Sequence, residues 1–151
     1  MSTPEMKAYK SAEWNFALDI PKRWHAFPPV SSNSPLEVIR FASKEEGTHL
    51  VIIFRGPRDP RKPLKEVCDQ TQKILAASGF GNFSPTETTI RTRPALMLEF
   101  DRPQDGGTWS CREYFVADDM LLYTLGFGTN NKDAMFEIYD RMAGSFTFSA
   151  E

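Results

Sequence analysis

The chain has 151 residues, 40% of them hydrophobic and 25% charged, with a net charge of −2. That length and balance suit one globular domain with a single core, and the charge lacks the basic excess of a nucleic-acid binder. Its two cysteines, Cys68 and Cys111, form no CxxC and no Cys/His cluster with metal-ligand spacing, so they read as reduced core thiols and no cofactor or metal is expected.

The N-terminus, MSTPEMKAYKSAEW, has no apolar h-region and no small-residue cleavage pattern, which predicts a cytoplasmic protein. No apolar run is long enough to span a bilayer, so direct membrane insertion is not expected. Within YKSAEWNFALDI, Trp14, Phe16, Leu18 and Ile20 alternate with polar or small residues, the pattern of one half-buried strand. Pro21 lacks an amide donor and ends the ladder there. The stretch PPVSSNSP reads as a loop. LEVIRFAS and THLVIIFR are two more strands, joined by EEGT with Gly47 at the tip.

PLKEVCDQTQKILAASG is the clearest helix. Leu64, Val67, Cys68, Thr71, Ile74 and Leu75 share one stripe, Pro63 suits the first helical position, and Gly79 suits the stop. SPTETTIRT and PALMLEFD are strand-like, and PQDGGT supplies a hairpin turn into WSCREYFVA. MLLYTLGFG follows. A two-residue loop at Asp118-Asp119 would pair Phe115 with Leu122 and Tyr114 with Tyr123, and would set Cys111 and Trp109 opposite Gly126 and Gly128. NNKDAMFEIYDRMAGSF is the last helix, with Asn130 as cap and Ala134, Met135, Ile138 and Met142 as its stripe. SFTF returns as a short strand. The order of strands, helix, antiparallel strands and helix predicts a single α+β domain over 1–151, with helices packed on a mostly antiparallel sheet.

Three short stretches in that order carry a resemblance: LDIPKRW closing the first long strand, REYFVADDMLLYTLGFG, and AGSFTF after the last helix. From about Tyr9 to Phe148 the chain resembles the PsbP-like superfamily, which includes the PsbP proteins, the Mog-type Ran-binding proteins and the DcrB-like proteins. The resemblance implies an αβα sandwich and no catalytic residues. It carries over Pro21, Trp24, Arg112-Glu113-Tyr114 and Ser145-Phe146 as architectural positions. In length and its Pro-x-x-Trp turn the chain is similar to the Eag branch, chaperones of type VI secretion that hold apolar helices of effectors, although HAFPPVSSNSP departs from that branch's pattern.

Most chemistry is excluded residue by residue. His25 and His49 accompany no GxSxG, no HExxH and no EF-hand loop. GFGTN is not a GxGxxG, and Asp118-Asp119 suits a turn better than a cation site. The chain is not expected to be an enzyme. The basic segment around Arg55, Arg58, Arg61, Lys62 and Lys65 precedes a helix N-terminus and is either a solvated loop or an anion-binding loop. In the final hairpin both faces are apolar: Tyr114, Val116, Leu121, Tyr123, Leu125 and Phe127 on one, Trp109, Phe115, Met120 and Leu122 on the other. Two helices cover both faces, or one face stays partly open as a docking site or homodimer interface. The functional expectation is a non-enzymatic accessory protein, chaperone or adaptor, whose protein partner contributes apolar helices and meets Trp24, Tyr114, Leu121, Tyr123 and Leu125. The alternatives are a small-ligand pocket near Trp24 and His25, and an accessory domain of a membrane or photosynthetic assembly.

Overall fold

A computed structural model of the chain describes residues 4–43 and 48–148. The connection read at Glu45–Gly47 lies outside the described residues. The elements run β1 (Met6–Ser11), β2 (Phe16–Pro21), β3 (His25–Phe27), β4 (Glu37–Ala42), β5 (His49–Pro57), α1 (Leu64–Ala77), β6 (Gly81–Ile90), β7 (Arg93–Gln104), β8 (Gly107–Ala117), β9 (Leu121–Thr129) and α2 (Lys132–Gly144). The last seven strands form one antiparallel sheet in the order β3-β4-β5-β9-β8-β7-β6, and β1 and β2 form a separate two-stranded sheet. This is the expected α+β class.

The single N-terminal strand of the sequence reading is a hairpin instead. Asn15 takes a left-handed φ of 53°, which short polar side chains tolerate, and the chain reverses before Phe16. Met6 to Ser11 then pairs antiparallel with Phe16 to Pro21, and Trp14 sits in the turn. The alternation does survive in β2, where Phe16, Leu18 and Ile20 are all buried. They pack with Val51, Ile53, Leu125, Met142 and Phe146 into the larger core, between the seven-stranded sheet on one side and the β1–β2 hairpin with α2 on the other. The SFTF strand is reduced to one bridge, Ala17 to Thr147.

Opposite that core, α1 lies on β6, β7 and β8. Its Cys68 packs with Leu96, Leu98, Phe100, Cys111 and Phe115 in a second, smaller core. Pro63 is the N-cap of α1 rather than its first helical residue, and Asn131, not Asn130, caps α2 by accepting from the Ala134 amide at 3.3 Å. In α2 Met142 is buried and Met135 and Ile138 pack against the core, as their spacing implied, with Tyr139 and Ala143 buried beside them.

The β8–β9 register differs from the expected one. The connecting loop is Asp119-Met120, not Asp118-Asp119, because the Asp118 carboxylate accepts from the amides of Met120 (2.8 Å) and Leu121 (2.7 Å) and closes the turn one residue later. Phe115 therefore faces Thr124, Tyr114 faces Leu125, Cys111 faces Gly128 and Glu113 faces Gly126. A shift of two residues keeps the strand side chains on their expected faces, and only Met120 passes into the turn.

Candidate functional site

The residues assigned to a docking face form the floor of the larger core. Tyr123 and Leu125 are 0% exposed, Tyr114 is buried, and Leu121 is half-buried against the same cluster. Tyr123 donates to the Trp14 carbonyl at 2.7 Å, so the β1–β2 turn closes directly over it. The expected site on this face is therefore corrected: α2 and the hairpin together cover it, and no partner reaches it without unfolding them. Trp24 is only 6% exposed and stacks on His49 with ring centroids 4.6 Å apart. It does fold back over the edge of the core, as its architectural reading required.

The Trp24–His49 pair borders a pocket of about 700 Å³ that also touches Lys22, Arg23, Thr129 and Asn131. His49, not His25, belongs to this pocket. Ser43 donates its amide to His49 Nε2 at 3.0 Å, and Nδ1 lies 2.8 Å from Thr48 Oγ1. His25 sits on the exposed edge strand β3. The basic residues do not converge on one cradle. Arg55 lies over the Trp14 ring at 5.4 Å, Arg58 reaches the Asp118 carbonyl at 3.5 Å, Arg61 pairs with Asp59 at 3.2 Å, and Lys62 donates to Gln70 at 3.2 Å. Each has its own separate contact, while the buried Nε atoms of Arg55 and Arg58 have no hydrogen-bond partner among the described residues.

The open surface is on the other face. Because α1 sits on β6, β7 and β8, the α1 side of β5 and β9 has no helix above it among the described residues. A groove of about 640 Å³ runs there. Leu50, Ile52 and Phe54 of β5, with Gly126 and Gly128 of β9, make its floor. Trp109 crosses Gly128, and a methyl group placed on that glycine would meet the indole at 2.7 Å. Ile74, Leu75 and Ser78 of α1 form one wall, and Asn33, Ser34 and Arg40 line the other. Ile74, assigned to the helix's buried stripe by spacing, is 68% exposed. Ile74 and the floor beside it together form one apolar patch on this face.

Three charged side chains line this groove: Arg40, which pairs with Glu37, Arg102, which lies over the Phe80 ring, and Glu113, its one carboxylate. Glu113 projects from β8 between Cys111 and Phe115, and its Oε2 comes within 3.9 Å of where a Gly126 methyl would sit. Burial pushes its carboxyl up to about 7, with no opposing cation or hydrogen bond. Burial likewise pushes the Cys111 thiol up to about 12 and raises that of Cys68, with Glu113 adding to both. Thiols so raised are poor nucleophiles near neutral pH. On the opposite face, the neighbouring Arg112 is paired: it bonds Glu99 at 3.1 Å, bonds Asp140, and lies over the Phe136 ring at 4.3 Å. Sequence reasoning grouped Glu113 with Arg112 as architecture. The signal available was alternation, since Glu113 occupies the same face as Trp109, Cys111 and Phe115 and is the one charge there.

No family model matches the chain, and no curated protein matches it. Solved structures do. Cyanobacterial PsbP (CyanoP) from Synechocystis sp. PCC 6803 superposes with a TM-score of 0.74 at 14% identity, over 97% of this chain and 94% of that one. LpqN of Mycobacterium tuberculosis, involved in cell envelope biogenesis, gives 0.66 at 14% identity over 94% and 90%. A protein of Bacteroides thetaiotaomicron gives 0.67 at 11% identity over 93% of this chain and 47% of its own. At such identities the likeness is one of fold, and the fold is PsbP-like, as the sequence resemblance implied.

Proposed function

We propose that this PsbP-like chain is a non-enzymatic binding protein of chaperone or adaptor type, which receives an apolar segment of a partner protein in the groove beside α1. The observation that carries the reading is the uncovered floor of Leu50, Ile52 and Phe54 with Ile74 standing exposed at its rim. Its volume of about 640 Å³ falls within the usual range of ligand sites, roughly 300–1,000 Å³. The reading as non-enzymatic is supported by the raised thiols and by the stacking of His49 on Trp24.

Ile74→Asp is the test, because the residue is exposed and its replacement leaves the cores intact. Wild type and variant are used in parallel to capture partners from the native host. The expected result is one stoichiometric partner held by the wild type, lost with Ile74→Asp, and cross-linked through a photoreactive group at position 74. Equal capture by both, or a clean monomer with no partner, would overturn the reading.

A second reading rests on the Trp24–His49 stack at the edge of the 700 Å³ pocket. Here a small polar ligand is the occupant. Ligand-dependent fluorescence that disappears in Trp24→Phe, with Ile74→Asp silent, would favour this pocket over the groove.

A further inference from the structure

The groove has a width, a floor and a charge, and together they narrow the occupant. From β8 to β4 there are three strand spacings, about 14 Å at roughly 4.8 Å each. An α-helix with its side chains is about 10–12 Å across. The α1 side of the sheet therefore carries one helix and has room for a second alongside it. Gly126 of β9 lowers the floor on that line, Trp109 covers Gly128, and the exposed Ile74 faces the vacant position from α1. Along the floor the side chains are apolar except for Glu113, which has no hydrogen-bond or ion-pair partner among the described residues.

A carboxylate in an apolar surround is costly unless a cation or donor meets it. Resting on the reading of the groove as a partner site, we infer that the second helix comes from a partner protein and carries one lysine or arginine on its apolar face, received by the Glu113 carboxylate. The groups around Glu113 leave that role open. Cys111 on its own strand and Cys68 from α1 stay protonated through neutral pH. Arg102 of β7 lies over the Phe80 ring at 4.7 Å, and Arg40 of β4 is paired with Glu37. Toward Glu113, β5 and β9 present Phe54 and Gly126. A bound cation needs the ionised carboxylate, so docking releases a proton. Affinity for a basic helix thus rises with pH through about 7 and falls below it.

Two synthetic amphipathic helical peptides test this, identical except that one has lysine and the other norleucine at the centre of a leucine face. n-Octylamine and n-octanol serve as small probes, and Trp109 fluorescence and titration calorimetry report binding. At pH 8 the lysine peptide is expected to bind about tenfold or more tightly than its twin. That preference should shrink by about tenfold at pH 6, where roughly a tenth of the carboxyl is ionised, and vanish in Glu113→Gln. If both peptides bind equally at both pH values, the groove remains a partner site and the inference about charge is overturned. If neither peptide binds and Ile74→Asp leaves capture from the host unchanged, the groove reading itself falls. If n-octylamine is preferred over n-octanol while neither peptide binds, the occupant is a small amine and the helix is overturned. The norleucine twin needs no protein variant, so the test stands even if Glu113→Gln folds poorly.

Discussion

Arg112 and Glu113 are neighbours on β8 and point to opposite faces of one sheet. Arg112 is bonded to Glu99 and Asp140 and capped by Phe136, under α2. Glu113 meets no partner among the described residues. The two faces differ in the same way throughout. Over the α2 side, a helix and a hairpin close a continuous aromatic core in which Phe16, Tyr123 and Phe146 stack within about 6 Å. Over the α1 side, one helix buries a single residue completely, Cys68, and half the sheet is left beside it. The α2 face holds the larger core, and the α1 face holds the smaller one with apolar surface and a carboxylate beside it. A domain of this size can hold such a face because its stability is concentrated elsewhere.

The largest expected effect breaks the well-covered side. Tyr123→Ala removes a ring that is 0% exposed together with its bond to the Trp14 carbonyl. It should cost about 3–5 kcal/mol, enough to unfold much of the protein at 37 °C. Denaturant unfolding measures it. A loss under about 1 kcal/mol would show that the hairpin does not hold this core closed. The same substitution, had the residue been a surface contact, would have left stability unchanged and weakened only partner binding.

The next effect concerns the other face and depends on pH. The carboxyl of Glu113 is raised in the folded state to about 7, above its unfolded value of about 4.3. The folded protein therefore holds the proton more tightly than the unfolded chain. The favourable contribution is present in full below pH 4, and it is lost as pH rises toward and past 7. Glu113→Gln keeps the shape without the ionisation. Relative to wild type it should gain on the order of 2–3 kcal/mol between pH 5 and pH 8, read by urea unfolding at both values. A constant difference would mean that water already reaches the carboxylate.

Much of this was readable from residues. Period-2 alternation assigned the strand side chains of β8 and β9 to their faces correctly, even with the register displaced by two, because a two-residue slip preserves sidedness; Met120 alone left its face for the turn. The stripe of α1 and its stop before Gly79 were also legible. What failed was the question of which face is covered. Alternation says that Tyr114 and Trp109 lie on opposite sides, but not that the segment from Met6 to Ser11 would fold back as a second strand and close one of them. That depends on a left-handed Asn15, a single turn residue with no flanking glycine. The groove was hidden for a related reason. Ile74 fits the helical stripe by spacing, and only the lateral position of α1 on β6, β7 and β8 shows that the stripe overhangs empty sheet. Glu113 carried a signal that was passed over, a charge in an apolar alternation.

A smaller substitution sharpens the contrast within the groove itself. Gly126 and Gly128 lie two residues apart on the same floor, and neither has a left-handed φ, so alanine strains neither backbone. At Gly126 a methyl would meet Phe54 Cε2 at 3.4 Å and the Ile52 carbonyl at 3.5 Å, both ordinary contacts. The reduced freedom of the unfolded chain should then make Gly126→Ala neutral or stabilising by up to about 1 kcal/mol. At Gly128 the methyl would sit 2.7 Å from the Trp109 indole, which must move. Gly128→Ala should cost about 1–2 kcal/mol and shift Trp109 fluorescence, since the ring is displaced toward solvent. If the partner helix lies along β9 as inferred, Gly126→Ala raises the floor beneath it, whereas Gly128→Ala acts through the displaced indole. Gly126→Ala then weakens peptide binding without lowering stability, separating the groove's role in binding from its role in the fold. An unchanged affinity in that variant would move the docking line off β9 and toward β5.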